Sequence, residues 1–452
     1  MKNSGSAVAA GPGSAASGLR PVLSRRDLIV YGLVILTPTA PYPIYGTVQQ
    51  ASGGHATLSY LVAMVAMLFT AMSYARMSAA FPVAGSTYCY VQRGLNPSIG
   101  FLAGWAMMLD YFLIPLLSIV YAALTAARLA PQVPYLVWAL VFTAAITVVN
   151  LRGIQTTARA NEFLMALLAG SALLFVVLSV RYVVDTAGYG ALWSPGAIYR
   201  ADTFSVRTLM LGAGISALSY IGFDAVTTLA EDSRSPEKDV AFATVAVCVA
   251  QTAICALTVY LATLVWPDLA FPKVETAILD IGSRIGGAWL FGWITIVLLA
   301  AGLASAMTGQ AGASRLLLGM GRDGVISPWL FGHVDQESAT PRRAIWFMSA
   351  VAMAGTLLAD FQLIVELLNF GAFAGFILVN LSVIGHYYVR LGLRRGSAAW
   401  HHLISPALGA MVCAYLWLSL TSTAKLVGFG WLGAGAVYLL WRSRRMRKLE
   451  GI

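Results

Sequence analysis

Charged side chains are scarce in this chain. Asp, Glu, Lys and Arg together make up 11% of its 452 residues, whereas soluble globular domains carry roughly 25%. Hydrophobic residues reach 59%, which leaves too few polar side chains to cover a water-soluble fold of this length. The shortage excludes an ordinary soluble protein and indicates a membrane protein.

Cysteine and histidine are also rare. The four cysteines contain no Cys-x-x-Cys pair, and the five histidines form no cluster in the sequence. Neither a zinc site nor a disulfide framework is indicated, so we expect buried, reduced thiols, no metal and no cofactor. The glycine-rich run at 319–324 lacks the Gly-Lys-Ser/Thr of a P-loop, and ATP is therefore not an expected partner.

The net charge of +10 raises the question of a nucleic-acid partner. The basic residues, however, punctuate long apolar runs and form no compact basic face. We therefore exclude nucleic acid and expect the lipid bilayer to surround most of the chain.

Twelve apolar segments are interpreted as membrane spans, each of which needs roughly 20 residues. They lie at about 28–51, 57–80, 97–128, 134–151, 161–184, 206–229, 240–266, 287–318, 344–359, 362–388, 402–422 and 426–441. The pattern predicts an all-α integral membrane protein. Residues 1–23 are rich in Gly, Ala and Ser and predict a disordered tail, and 443–452 form a short basic tail.

Basic residues are divided unequally between the two sides of this map. With both termini on the same side, 22 of the 29 Lys and Arg residues fall on that side. The seven on the other side are Arg128, Arg181, Arg200, Arg207, Lys273, Arg284 and Lys425. Cytoplasmic loops carry the excess of Lys and Arg, so we predict a multi-pass protein of the cell inner membrane with both termini in the cytoplasm.

Two of the twelve spans carry helix-breaking residues at mid-span. Span one contains Pro38, Pro41 and Pro43, each of which lacks an N–H and clashes with the preceding turn. Span six contains Gly222, followed by Asp224. Within a bilayer, unwound backbone survives only where it lines a cavity or is buried in protein. Matched interruptions in two halves of a chain are typical of inverted-repeat transporters, whose solute site lies at the breaks.

Several motifs resemble those of the amino acid–polyamine–organocation (APC) superfamily. They are 81–88 (Phe-Pro-Val-Ala-Gly-Ser-Thr-Tyr), 96–97 (Asn-Pro), 104–105 (Gly-Trp), 109–111 (Leu-Asp-Tyr), 222–231 (Gly-Phe-Asp-Ala-Val-Thr-Thr-Leu-Ala-Glu), 314–316 (Ser-Arg-Leu), 320–323 (Met-Gly-Arg-Asp) and 369–372 (Asn-Phe-Gly-Ala). The resemblance covers nearly the whole chain after the N-terminal tail. Within the superfamily, the sequence is similar to bacterial putrescine-importer-like permeases.

This resemblance implies a LeuT-type fold, in which two inverted five-helix repeats are followed by two peripheral helices. On this chain the repeats correspond to 24–184 and 204–388, and the peripheral helices to 401–442. The resemblance also implies a secondary active transporter that imports a small, putrescine-like amine or polyamine by alternating access, driven by protons, the membrane potential or both. The alternative within transport is an amino acid permease that works as a proton symporter.

The chain departs from the putrescine branch at two places. The first break carries no acid between Tyr42 and Tyr45, where that branch has one near the position of Pro43, and this weighs against diamine specificity. Residues 162–180 contain no lysine, the group that some proton-coupled relatives use in span five. Coupling to protons must then use another group or not occur by that route.

Three carboxylates lie within the predicted spans, namely Asp110, Asp224 and Glu366. An ionisable group in the bilayer costs at least ~2.5 kcal/mol on insertion scales, so each is a candidate for proton coupling, and Asp110 and Asp224 are also candidates for substrate binding. Asp224 follows the second break, but it could instead cap the helix after that break. Asp110 could be a structural hydrogen-bonding group between helices, and Glu366, near a membrane edge, could face outer water.

Aromatic residues flank both breaks and the carboxylate of span three. Together with Gly222 they complete our candidate substrate site, because an aromatic face holds a desolvated cation with ~1–2 kcal/mol. Ordinary packing is the competing explanation for each ring. The rings are Tyr42 and Tyr45 at the first break, Tyr220 and Phe223 at the second, and Tyr111 beside Asp110.

Sodium coupling, a membrane-embedded enzyme and a solute sensor are the alternatives to this hypothesis. Ser305 and Thr308 lie where sodium-coupled relatives place hydroxyl ligands, but such hydroxyls usually bond to their own helix backbone. A membrane-embedded enzyme needs a metal cluster or a nucleophile with its base in the spans, and the sequence indicates none. A transporter-like solute sensor usually adds a soluble output domain, for which 443–452 offers no room.

Overall fold

The computed structural model describes residues 23–82, 86–151, 157–224, 226–227, 233–322, 326–335 and 340–449. Most of the predicted N-terminal tail lies outside these ranges. Leu23, which we assigned to that tail, instead forms an isolated bridge with Ser233. Within the described ranges no β-strand occurs, and the predicted all-α fold is confirmed.

The helices follow the predicted spans closely. Their bounds are α1 Arg25–Leu36, α2 Tyr45–Ala51, α3 Ala56–Ala80, α4 Ser86–Gly94, α5 Pro97–Leu129, α6 Tyr135–Leu151, α7 Thr157–Ala187, α8 Val206–Ser216, α9 Ala241–Val265, α10 Ala277–Arg322, α11 Pro328–Phe331, α12 Arg342–Leu358, α13 Phe361–Val383, α14 Ser397–Ala399, α15 Ser405–Ser419 and α16 Ser422–Leu449. Span one is divided between α1 and α2. Helix α10 bends at Gly287, where the predicted span begins, and α16 continues beyond the predicted boundary at 442.

Eight helices among the described residues are long and apolar enough to cross a membrane. The remaining predicted spans correspond to shorter helices, because spans one and six are interrupted and α6 and α12 have 17 residues each. The protein is therefore a multi-pass membrane protein, while the total of twelve spans and the division into repeats stay predictions. All four cysteines are free and buried, as expected.

Helix α5 lies at the centre of the packing. It contacts α10 and α13 more extensively than its other neighbours, and α3 packs in the same way on α9. Gly371 of α13 allows the closest approach, since a Cβ at that position would lie 2.6 Å from the carbonyl oxygen of Ala106 in α5. The glycine of the 369–372 motif thus brings α13 against α5 about one turn from Asp110.

Two tryptophans join α5 to the peripheral helix α16. The indole N–H of Trp105 donates to the backbone carbonyl oxygen of Trp431 at 2.9 Å. In return, the indole N–H of Trp431 donates to the backbone carbonyl oxygen of Trp105 at 2.8 Å. Their rings stack with centroids 4.9 Å apart. Because each partly buried indole finds a partner on the other helix, this reciprocal pair fixes α16 to the helix that carries Asp110.

Candidate functional site

The first break lies between α1 and α2 and consists of residues 37–44. Thr37 ends α1 with φ of 54°, a value that is costly for a β-branched residue. Three short turns follow, in which the N–H of Ala40 donates to Thr37, that of Tyr42 to Thr39 and that of Ile44 to Pro41. The prolines thus replace one turn of helix by an irregular segment whose own N–H groups are largely used internally.

The second break follows α8. A tight 3-10 turn runs over Ala217–Tyr220, and Gly222 then takes φ of 116°. Only glycine adopts this backbone region without strain, so the glycine ends the helix here. Asp224 lies just after the break, half-buried. Residues 225 and 228–232, and with them most of the predicted helix that Asp224 would cap, lie outside the described residues.

A buried glutamine on α9 contacts both breaks. The side-chain nitrogen of Gln251 donates to the carbonyl oxygens of Leu36 at 3.3 Å and Thr37 at 3.0 Å in the first break. It also donates to the carbonyl oxygen of Ser219 in the second break, at 3.2 Å. Our sequence reasoning missed this residue. The available signal was a polar amide inside an otherwise apolar span, which usually faces a partner helix.

Asp110 and Asp224 form the acidic part of the candidate site. Asp110 is 5% exposed, and its Oδ1 atom is buried without a hydrogen-bond partner among the described residues. The two carboxylates are near enough to interact electrostatically. A buried carboxylate is stable as an anion only when it is paired, so this arrangement calls for a cation or a proton.

Three tyrosines lie within electrostatic range of Asp224. They are Tyr74 of α3, Tyr90 of α4 and Tyr111 of α5. Tyr111 is 45% exposed. Tyr74 and Tyr90 come from elements that we had not assigned to the site, because neither lies near a break in the sequence.

Phe223 lies next to this group but is fully buried. Its ring packs at 5.5 Å from that of Tyr74 and at 5.3 Å from that of Phe376 in α13. Phe223 therefore packs between Tyr74 and Phe376, and packing accounts for its position.

The other three predicted tyrosines point elsewhere. Tyr220 donates its hydroxyl to the carbonyl oxygen of Tyr60 in α3. Tyr45 pairs its hydroxyl with that of Thr263 at the far end of α9. Tyr42 is buried, its hydroxyl has no partner among the described residues, and its ring lies 5.4 Å from that of Phe175 in α7. The structure thus groups Tyr42 with α7 and Tyr45 with α9, and Tyr220 is turned toward α3.

Glu366 does not face water. It is fully buried, and its Oε2 accepts hydrogen bonds from the backbone N–H and the hydroxyl of Thr421, at 2.8 and 2.6 Å. Its Oε1 accepts from Gln362 at 2.8 Å. Since Thr421 immediately precedes α16, this carboxylate satisfies the start of that helix. The alternative that Glu366 faces outer water is therefore wrong.

The two hydroxyls considered for sodium are engaged in other contacts. Thr308 donates to the carbonyl oxygen of Ala304 in its own helix at 2.9 Å. Ser305 accepts from Ser118 of α5 at 3.1 Å. Within the described residues, no group of three or more His, Cys, Asp or Glu side chains could hold a metal ion.

Comparison with known proteins identifies relatives along the whole chain. A family model described as amino acid permease matches residues 42–436. The low-affinity putrescine importer PlaP of Escherichia coli K12 is 29% identical over 449 residues, which cover 96% of both chains. The branched-chain amino acid permease BcaP of Bacillus subtilis is 26% identical over 463 residues, covering 97% of this chain and 96% of that protein.

A solved structure shares the fold. The crystal structure of MhsT in complex with L-phenylalanine superposes with a TM-score of 0.59 at 14% identity, and it covers 88% of this chain and 99% of that one. At this identity the likeness concerns the fold alone. Together with the two broken helices, it confirms the LeuT-type architecture that the sequence motifs imply.

Proposed function

This chain belongs to the amino acid permease family, and we propose that it imports a small amine of the putrescine type across the inner membrane by alternating access. In this proposal both termini lie in the cytoplasm, on the side that holds 22 of the 29 Lys and Arg residues. The substrate amine binds between Asp110 on α5 and Asp224 after the second break. We refer to these two carboxylates as the acidic pair.

The observation that carries the proposal is that the buried carboxylate of Asp110 lacks partners within the described residues. Its Oδ1 has no hydrogen-bond partner and the side chain has no ion-pair partner among the described residues. Asp224, a second acid, lies within electrostatic range. Two neighbouring acids away from bulk water favour a positively charged ligand, because an ammonium lowers the free-energy cost of keeping both carboxylates ionised there. The exposed ring of Tyr111 supports the same ligand through its π face.

The first break supports an amine over an α-amino acid. Carriers of amino acids can hold the substrate carboxylate on free backbone N–H groups at the end of a half-helix. Here three prolines remove N–H groups, and the N–H groups of Ala40 and Tyr42 already donate to carbonyls within the break. Few donors are left for a carboxylate, whereas the acidic pair is matched to an ammonium.

The amino acid permease function remains the second candidate. It is favoured by the similarity to BcaP and by the lack of an acid between Tyr42 and Tyr45, where the putrescine branch carries one. An α-amino acid would place its ammonium at the acidic pair and its carboxylate at the N–H groups that stay free.

Import in this proposal is driven by the membrane potential, by protons or by both. For a dication the potential alone supplies roughly 4.6 kcal/mol per 100 mV, at ~2.3 kcal/mol per charge. The acidic pair could also carry a proton in the absence of substrate, because like charges in one site disfavour double ionisation.

Uptake into proteoliposomes tests the proposal. With an inside-negative potential, labelled putrescine should accumulate, and unlabelled putrescine and cadaverine should compete with it. Leucine and phenylalanine should not compete at the same concentrations. The amino acid permease function replaces the amine proposal if labelled leucine or phenylalanine accumulates instead and amines leave that uptake unchanged.

A further inference from the structure

We propose that Gln251 is a positioning residue that holds the two breaks together, so that they change conformation as one unit. Its amide is the contact that α9 makes with the carbonyl groups of both interrupted helices. The inference concerns the coupling between the breaks and does not depend on which solute is carried.

The first break needs such a donor because of its prolines. In a continuous helix the carbonyl of Thr37 would accept from residue 41 and that of Leu36 from residue 40. Residue 41 is proline and has no N–H, and the N–H of Ala40 is turned to Thr37 at 3.1 Å. The carbonyl of Leu36 thus loses its helical partner, and Gln251 donates to it and to that of Thr37.

The second break has the same deficiency for a different reason. The carbonyl of Ser219 would accept from Phe223 in a continuous helix, but the backbone turns away at Gly222 with φ of 116°. Gln251 supplies the missing donor. Buried carbonyls without partners are costly inside a membrane, so one carbonyl in each break, that of Leu36 and that of Ser219, depends on this side chain.

The small number of hydrogens on the Gln251 amide makes its contact with the two breaks sensitive to movement. An amide NH₂ has two hydrogens, while three carbonyl oxygens converge on the nitrogen of Gln251 at 3.0–3.3 Å. If the first break moves away alone, the carbonyl of Leu36 loses this donor, and if the second break does so, the carbonyl of Ser219 loses it. Helix α1 is also held close to α9, since a Cβ at Gly32 would lie 2.7 Å from the Val247 side chain, one turn before Gln251. A joint movement preserves more of these contacts than a separate one.

Native cysteines allow the coupling to be measured without any substrate. Cys248 and Cys255 lie one turn before and one turn after Gln251 on the same face of α9, and both are fully buried. Cys413 in α15 is equally buried and contacts Thr70 of α3 rather than residues of α9. Alkylation by N-ethylmaleimide, read peptide by peptide by mass spectrometry, therefore separates local opening from general loosening.

The test variant is Gln251→Leu, which removes the donors and keeps a side chain of similar size. We expect Cys248 and Cys255 to react at least tenfold faster than in the unchanged protein, with the rate at Cys413 unaltered. Equal acceleration at all three cysteines would show a merely structural role and overturn the proposal, as would unchanged rates at Cys248 and Cys255.

Gln310→Leu is the matched control. Gln310 is also a buried glutamine, and it bonds Asn150 of α6 and Ser349 of α12, away from both breaks. This variant should leave the ratio of Cys255 to Cys413 labelling unchanged. In transport, Gln251→Leu should lower kcat more than it raises KM, because the coupling acts on the conformational step. A change in KM alone would contradict the proposal.

Discussion

The carboxylate of Glu366 accepts a hydrogen bond from the backbone N–H of Thr421 at 2.8 Å, so that an acid in α13 caps the N-terminal end of α16. The hydroxyl of Thr421 and the amide of Gln362 complete its hydrogen bonds. An intramembrane carboxylate with three donors needs neither a substrate nor a coupling proton. This geometry distinguishes Glu366 from Asp110, whose Oδ1 has no hydrogen-bond partner in the described part of the chain.

Glu366→Gln should therefore lower stability and spare transport. One oxygen of the acid is replaced by an NH₂ that faces a donor, and the expected cost is about 1–3 kcal/mol. The measurement is the midpoint of thermal unfolding in detergent, together with initial uptake rates per folded molecule. Thr421→Val removes one of the same bonds, and the double variant should lose less than the sum of the two. Loss of uptake by a well-folded Glu366→Gln protein would return this residue to the coupling candidates.

Asp110→Asn and Asp224→Asn should each nearly abolish uptake while the protein stays folded in the membrane. Each change removes a charge that pairs with the substrate amine or carries a proton, and a hydrogen bond to a charged group is worth roughly 1.5–3 kcal/mol, or about 10- to 150-fold in kcat/KM. Asp185→Asn is the control, because that carboxylate is exposed in a surface ion pair with Arg181. Near-normal uptake by a well-expressed Asp110→Asn protein would assign Asp110 to structure.

Replacement of all sodium by choline should leave the initial rate of uptake unchanged. Thr308 bonds back to Ala304, and Ser305 is paired with Ser118. The carbonyl oxygens of Leu36, Thr37 and Ser219, which a hard cation could otherwise use as ligands, are taken by the amide of Gln251. Ser305→Ala and Thr308→Ala should accordingly transport normally. A strict requirement for sodium, lost in either variant, would establish these hydroxyls as ligands.

Topology is predicted from the unequal distribution of Lys and Arg. In a cysteine-free background, a cysteine at Ser283, which is exposed between α9 and the bend of α10, should react with a membrane-impermeant thiol reagent on whole cells. A cysteine at Ser443 near the end of α16 should react only after the cells are permeabilised. The reverse pattern would place both termini outside.

The interruptions in spans one and six could be predicted from sequence because they are local. Pro38, Pro41 and Pro43 lack N–H groups whatever surrounds them, and Gly222 before Asp224 marks a turn by backbone chemistry alone. The family motifs predicted the LeuT-type arrangement of the helices. Composition by itself predicts helices but not their arrangement.

The direction of the side chains could not be predicted in the same way. Tyr220 lies in the second break yet turns its hydroxyl to Tyr60, because rotation about an irregular segment is set by the neighbouring helices. Gln251 is far from both breaks in sequence and becomes central only when α9 packs beside α1. Glu366 seemed close to outer water, but Thr421, 55 residues later, covers it.

The reciprocal tryptophan pair makes the distance between Asp110 and Asp224 depend on the position of the second break. It anchors α5, and Asp110 with it, to α16, whereas Asp224 belongs to an interrupted helix. Any displacement of the second break against α5 therefore changes the separation of two like charges, and their Coulomb energy varies inversely with that separation. In the proposed mechanism the pair, when empty and with both carboxylates ionised, pushes the two parts of the molecule apart, and a cationic substrate between the carboxylates draws them together. The charge of that substrate would then act as a force along the coordinate on which the carrier closes.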